Sequence, residues 1–224
     1  MTVFQEHRSY RFGSTEGLGA GQMDALIASF REGKRQPEGV LNGRGPMPAL
    51  ELTGFGRVVV KPYLRGGVLR HINRRTYLKT GLSRSRAEFE RLQFVRRIGV
   101  NAPEPVAFAA KGRLLYHAWL ITRQLPTVRS LADISLPAAE EARAFLPQVL
   151  EQIRRLIDHR LHHVDLHPGN VLVDDQNRVF LIDFDKARFT RKAPERLARR
   201  YRRRWEQAVW KHGLPEALIK EFGL

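Results

Sequence analysis

Four residues have the types and the spacing to do chemistry together: His163, Asp165, Asn170 and Asp183. They stand as H-x-D-x-x-x-x-N, followed by the apolar run VLV, a DDQN turn, the run VFLI and a second aspartate. Two short strands around an Asp-Asn turn predict a hairpin whose ends carry the polar clusters. A carboxamide and a carboxylate are the hard oxygen donors that Mg2+ takes alongside phosphate oxygens. A second carboxylate beside a hydroxyl can accept its proton without being a metal ligand. Each half alone reads as an ordinary turn, since Asp and Asn beside Pro-Gly are good turn formers. At this separation the two halves together read as a phosphoryl-transfer site. His163 reads as a scaffold residue, and Pro168 argues against a metal site made of His162, His163 and His167.

The spacing matches the catalytic loop and metal-binding aspartate of protein kinase-like phosphotransferases. On that pattern Asp165 is the catalytic base, and Asn170 and Asp183 hold Mg2+. Such an enzyme also needs a cation on the phosphates of ATP and an acid to hold that cation. Lys61, ending the apolar run VVV, stands in the expected place. Glu88 and Glu90 compete as its partner. Glu88 shares a helix face with Leu92 and Val95 and so points towards a core, which favours it, although Ser85-x-x-Glu88 also reads as a capping box. Gly43 and Gly45, ahead of the strand that leads to Lys61, could cover nucleotide phosphates with backbone N–H groups. No G-x-x-x-x-G-K-[ST] occurs, which disfavours a P-loop enzyme.

The elements that must position these residues divide at about residue 125. Residues 1–40 carry no sustained periodicity apart from a short helix over 24–30. From 42 the chain is glycine-punctuated β text: PALEL, the turn GFG, RVVVK, then a helix from Ser85 to about Ile98, and strands over 105–110 and 113–125. After Pro126 helical text dominates, with apolar residues at 3.6 spacing from Val149 to about His159. A basic helix runs from Pro194 to about His212, with Leu197, Tyr201, Trp205 and Ala208 or Val209 on one stripe and arginines with no nearby acid around the rest. The expected fold is α+β and bilobal, a protein kinase-like fold. Its N-terminal lobe, 1–125, has a small antiparallel sheet, and its helical C-terminal lobe, 126–224, carries the catalytic loop and the basic helix.

Composition narrows the function classes. The 224 residues include 39 Lys and Arg against 23 Asp and Glu, a net charge of +16, and no Cys. Lacking cysteine, the chain has no disulfides, thiolate metal sites or thiol nucleophiles. No apolar run approaches the roughly 20 residues that span a bilayer. The surplus charge predicts a polyanionic partner. It is concentrated: residues 186–204 hold ten basic residues against one acid, Glu195.

GRG at 43–45, RGG at 65–67, AEFERL at 87–92, GVNAPEPVA at 99–107, IRRLIDHRLHHVDLHPGNVLVDD at 153–175 and LIDFDKAR at 181–188 together resemble the lipopolysaccharide core kinases. RGG, IDFD and the tail RLARRYRRRW are most similar to the branch acting on 3-deoxy-D-manno-octulosonic acid (Kdo); the heptose kinases are the close alternative. The resemblance implies ATP- and Mg2+-dependent phosphorylation of the 4-hydroxyl of Kdo on lipid A, or of a related glycolipid acceptor. It implies work at the cytoplasmic face of an inner membrane by a peripheral enzyme, in lipopolysaccharide biosynthesis. Arg65, Arg70, Arg74 and Arg75, and Arg199, Arg200 and Arg203 on the basic helix, are then candidates for contacts to acceptor or anionic membrane. Asp185 stands where protein kinases have glycine, and no long activation segment precedes Pro194, so a protein substrate is not expected. Another small-molecule hydroxyl as acceptor remains open. A nucleic-acid-binding module on a kinase-like scaffold is the non-enzyme alternative; with no recognised nucleic-acid motif, nucleic acid is not an expected partner.

Overall fold

A computed structural model describes residues 2–32, 49–63, 77–78, 83–112, 115–220 and 222–223. Gly43, Gly45, Arg65, Arg70, Arg74 and Arg75 lie outside the described residues. The chain divides into two compact units, Met1–Glu90 with Glu104–Gln124, and Arg91–Pro103 with Leu125–Leu224.

The first unit is an antiparallel sheet. Its strands are β1 (Val3–His7), β2 (Tyr10–Ser14), β3 (Ala49–Leu52), β4 (Gly56–Pro62), β5 (Tyr77–Leu78), β6 (Pro105–Lys111) and β7 (Leu115–Arg123). Their order is β1-β2-β6-β7-β4-β3, with β5 also against β7. The hairpin β1–β2 departs from the reading of the first forty residues as aperiodic. Its strands are short and mixed in polarity, and β2 earns its place by pairing with β6, almost a hundred residues away, from Tyr10↔Lys111 to Ser14↔Ala107. At that pairing Gly13 faces Phe108 so closely that a Cβ would lie 2.3 Å from the ring.

Helix α1 (Ala20–Glu32) extends the expected 24–30 segment and lays Met23, Leu26, Ile27 and Phe30 into the main core of this sheet. Phe30 stacks on Trp119 at 4.4 Å between ring centroids. Val58 and Val60 of β4 join that core. Because side chains alternate along a strand, Lys61 emerges on the opposite face. Helix α2 (Arg84–Arg97) places Phe89 edge-on to Phe108, 5.2 Å away. Its cap is Ser83, not Ser85. The N–H of Arg86 bonds Ser83 Oγ at 3.4 Å, while Ser85 is buried with its hydroxyl on the Ala109 carbonyl. The cap therefore lies two residues earlier than the capping box predicts. At the other end Gly99, at φ +81°, closes the helix through bonds from Gly99 N to Arg96 O and from Val100 N to Val95 O.

Beyond Arg91–Pro103, the second unit continues with a strand that sequence periodicity does not reveal, β8 (Val128–Ser130), three residues too few to register a pattern. Helices α3 (Leu131–Ser135), α4 (Ala139–Ala144) and α5 (Leu146–Asp158) follow. Next come β9 (Leu161–His162), a 3-10 turn over Pro168–Asn170, β10 (Val171–Asp174), β11 (Val179–Leu181), β12 (Arg188–Phe189), α6 (Pro194–Lys211) and α7 (Ala217–Lys220). β10 is the centre of a three-stranded sheet in the order β11-β10-β8, and β12 pairs with β9. α6 buries Leu197, Tyr201, Trp205, Ala208 and Val209. Trp205 stacks on Phe222 at 4.5 Å, and its indole N–H bonds the Leu218 carbonyl at 2.9 Å. Among the described residues no helix is long and apolar enough to cross a membrane.

Candidate active site

One group of the candidate residues belongs to the first unit. Lys61 Nζ donates to both carboxylate oxygens of Glu88 at 3.0 Å. Glu88 is 2% exposed and Lys61 about a quarter, so the carboxylate is sunk below the sheet surface and the ammonium stands at its edge. The helix register explains the choice of acid. Glu88 shares the inner face of α2 with Leu92 and Val95, whereas Glu90 points outward and pairs with Arg86 at 2.8 Å. Tyr63 is a residue that sequence reasoning missed. Its hydroxyl donates to Glu88 Oε2, its ring lies 5.4 Å from Lys61 Nζ, and it is itself buried. A buried carboxylate with a single cation is poorly compensated; the phenol supplies a second donor. The only signal in the sequence was its place two residues after Lys61, on the same face of the chain.

A second group lies wholly in the second unit. Antiparallel pairing sets Val171 opposite Leu181 and Val173 opposite Val179. Asn170 and Asp183 therefore sit at the same end of the hairpin, and the Ile182 N–H bonds the Asn170 carbonyl at 3.0 Å. The turn is stapled by Asp174, whose carboxylate accepts from the N–H groups of Gln176 and Arg178 and from the Arg178 guanidinium. Burial raises the Asp174 pKa, but those hydrogen bonds outweigh it and hold the group below the ordinary carboxylate range. Asp183 has φ +67°, a left-handed backbone uncommon outside glycine. Such conformations gather at functional sites, where surrounding structure holds them in place.

The loop that bears Asp165 is fixed to this hairpin from several sides. Asn170 is buried and its Nδ2 donates to the Asp165 carbonyl at 2.8 Å. His163 Nε2 donates to the Ile182 carbonyl at 2.9 Å, and its ring packs 4.6 Å from Phe184. Asn101 and Gln152, which carried no signal of their own, hold β11. Asn101 Nδ2 and Gln152 Nε2 both donate to the Val179 carbonyl, and the Asn101 carbonyl accepts from the Leu181 N–H. Arg91 reaches the segment after Asp183, donating to the Asp185 carbonyl at 2.7 Å.

Asp165 itself carries two cations. Lys186 Nζ lies 2.8 Å from Oδ2 and Arg204 Nη2 lies 3.2 Å from Oδ1. Burial works against ionisation, but Lys186 and Arg204 together hold Asp165 below the ordinary carboxylate range. This corrects the expectation that the arginines of α6 lack nearby acids: Arg204 has Asp165, and Arg202 pairs with Glu206 at 2.8 Å. The arginines grouped by sequence also separate. Arg199 and Arg203, four apart, share one exposed stripe; Arg199 lines a groove of about 430 Å³ with Arg154, Ile157 and Pro194. Arg200 shares the other stripe with Arg204 and lies near His162, where its charge helps to disfavour a protonated ring.

Asn170 and Asp183 suit Mg2+ by their chemistry, two hard oxygen donors side by side at a hairpin end, the remaining positions being of the kind that phosphate oxygens and water fill. Among the described residues no group of three or more His, Cys, Asp or Glu could hold a metal by itself. A sparse set of this kind is what a metal brought in with a nucleotide requires.

A lysine set at a strand edge by a sunken, helix-borne carboxylate is useful where a phosphate chain must be held. A loop aspartate tied to an Asn–Asp hairpin end is useful where a phosphoryl group must reach a hydroxyl. The class is that of the kinase-like phosphotransferases with an alcohol as acceptor. Within it, the family model described as the lipopolysaccharide kinase (Kdo/WaaP) family matches residues 32–222, and the chain belongs to that family. It is 33% identical over 195 residues to a 3-deoxy-D-manno-octulosonic acid kinase of Xanthomonas campestris pv. campestris, covering 83% of this chain and 75% of that one. Against the enzyme of the same name from Vibrio parahaemolyticus it is 28% identical, over 87% of this chain and 76% of the relative. Against that of Vibrio cholerae it is 36% identical over 57% of this chain, and the match spans only 55% of the relative.

Proposed function

We propose that this chain transfers the γ-phosphoryl group of ATP to the 4-hydroxyl of Kdo on lipid A. The observation that carries the reading is a family match that runs through Lys61, Glu88, Asp165, Asn170 and Asp183, with relatives named for Kdo. Asp165 accepts the proton of the attacking hydroxyl. Asn170 and Asp183 hold Mg2+, which when bound neutralises charge on the phosphates. Lys61, set by Glu88 and Tyr63, contacts those phosphates. Gly43 and Gly45 cover the nucleotide, and Arg65, Arg70, Arg74 and Arg75 contact the acceptor.

The enzyme works at the cytoplasmic face of the inner membrane as a peripheral protein. Helix α6 supports this placement. Arg196, Arg199 and Arg203 recur at three- and four-residue spacing along an exposed stripe that ends at Trp210, which is 62% exposed. Arginines beside an exposed tryptophan suit the headgroup layer of an anionic bilayer.

The test is to present ATP, Mg2+ and a panel of acceptors: Kdo-lipid A, heptose-bearing core, and an aminoglycoside. Phosphate on Kdo is expected, and Asp165→Ala or Asp183→Ala abolishes turnover while the circular dichroism spectrum is unchanged. Phosphate on another hydroxyl moves the reading to that acceptor, and full turnover in either variant sinks the site assignment.

A further inference from the structure

We propose that Arg204 is the positioning residue for Asp165, so that helix α6 serves as a splint for the catalytic loop as well as a basic surface. The inference rests on the reading of Asp165 as the base.

Two contacts one helical turn apart tie α6 to this loop. Tyr201, fully buried, donates its hydroxyl to the Leu161 carbonyl at 2.8 Å and accepts from the His163 N–H at 2.8 Å. Three residues on, on the same face, Arg204 bonds Asp165 Oδ1. The backbone at 161–163 and the carboxylate at 165 are thus held by one rigid element, itself anchored by Trp205, which is 0% exposed. The two cations on Asp165 differ in how firmly they are fixed. Lys186 is 64% exposed on its own side, whereas Arg204 is only 30% exposed and rises from a packed helix. A base must present one oxygen to the incoming hydroxyl. The solvated lysine on Oδ2 is the one that can withdraw, and the guanidinium on Oδ1 is the one that keeps the carboxylate aimed. Serving as base needs the carboxylate held within a fraction of an ångström, which a loop does not supply alone.

The experiment uses the full chain as wild type, Arg204→Gln and Arg204→Lys, with two readouts. Amide hydrogen exchange over residues 161–170 is followed without ATP or acceptor, and kcat and KM are measured on the acceptor that wild type uses. In Arg204→Gln the loop is expected to exchange several-fold faster, and kcat to fall about 10- to 100-fold while both KM values stay within about twofold. Arg204→Lys restores part of each. In an Asp165→Asn background the Arg204→Gln change no longer alters loop exchange. Unchanged loop exchange in Arg204→Gln overturns the proposal, as does a rise in acceptor KM with kcat intact, which would make Arg204 an acceptor contact. If Arg204→Gln does not fold, Arg204→Met, which keeps the apolar stem, repeats both measurements. A wild type inactive on Kdo-lipid A refutes the proposed acceptor, and the exchange arm still decides the role of Arg204.

Discussion

Lys61 and Glu88 illustrate what a single residue contributes and what it depends on. A lysine at a strand end is ordinarily solvated; here its ammonium meets a carboxylate that is 2% exposed. Removing one partner of such a pair leaves a buried group short of donors, which costs more than the pair gains by forming. Glu88→Gln is therefore expected to destabilise the fold by about 1–3 kcal/mol in urea denaturation and to lower kcat/KM for ATP. Tyr63→Phe leaves the ion pair in place and should cost about 0.5–1.5 kcal/mol, with a smaller kinetic effect. Equal losses in the two variants would mean that the phenol, not the lysine, sets Glu88. The acid was legible in the sequence, because helical spacing put Glu88 and not Glu90 on the face of Leu92 and Val95. The phenol was not, because nothing local says that the face of β4 bearing Lys61 is closed over by α2.

Among the elements, α6 is the one whose meaning changed most. Its buried stripe was readable from Leu197, Tyr201, Trp205 and Val209 at 3.6 spacing, since periodicity is local. Its arginines read as a basic coat with no acid nearby, with Arg199, Arg200 and Arg203 as candidates for acceptor or membrane contact. The fold sorts them: Arg204 and Arg200 face the segment of Asp165 and His162, Arg202 is paired to Glu206, and Arg196, Arg199 and Arg203 lead to Trp210. If the outer stripe meets the membrane, replacing Arg196, Arg199 and Arg203 with Gln should weaken binding to phosphatidylglycerol vesicles. At about 1 kcal/mol per charge near an anionic surface, the loss is about 10²-fold at low salt. Sedimentation with neutral and anionic vesicles measures this. Equal binding by the triple variant would remove α6 from the membrane contact. The short strands β8, β9 and β12 had no periodicity to read. Two or three residues do not define an alternation, and they exist because β10, or each other, offers a partner.

For the whole molecule, the net charge of +16 is first a field and only then a count. His162 feels it. Burial first, and then the charges of Arg200, Arg188, His163 and Lys192, lower its pKa from 6.5 to about 4. Between those values the unfolded chain binds a proton that the folded chain refuses. Stability from this group is thus complete above about pH 6.5 and is lost progressively as pH falls towards 4. Urea midpoints at pH 7.5, 6 and 5 should fall in wild type and fall less in His162→Gln; parallel declines would mean that other groups carry the pH dependence. By itself the sequence determined the candidate set, Asp165, Asn170 and Asp183, and the hairpin that brings Asn170 and Asp183 to one end, because fixed spacing along two adjacent strands is a local property. It also determined the helix faces, whose 3.6 periodicity needs no partner to be read. Only the tertiary structure decided which groups surround that set: Tyr63 at Glu88, Asn101 and Gln152 at β11, Lys186 and Arg204 at Asp165. Those contacts join residues from 21 to 78 positions apart, Tyr63 and Glu88 among them at 25. Which distant side chain meets a given one depends on how strands register and helices pack, and no pattern confined to one segment records that.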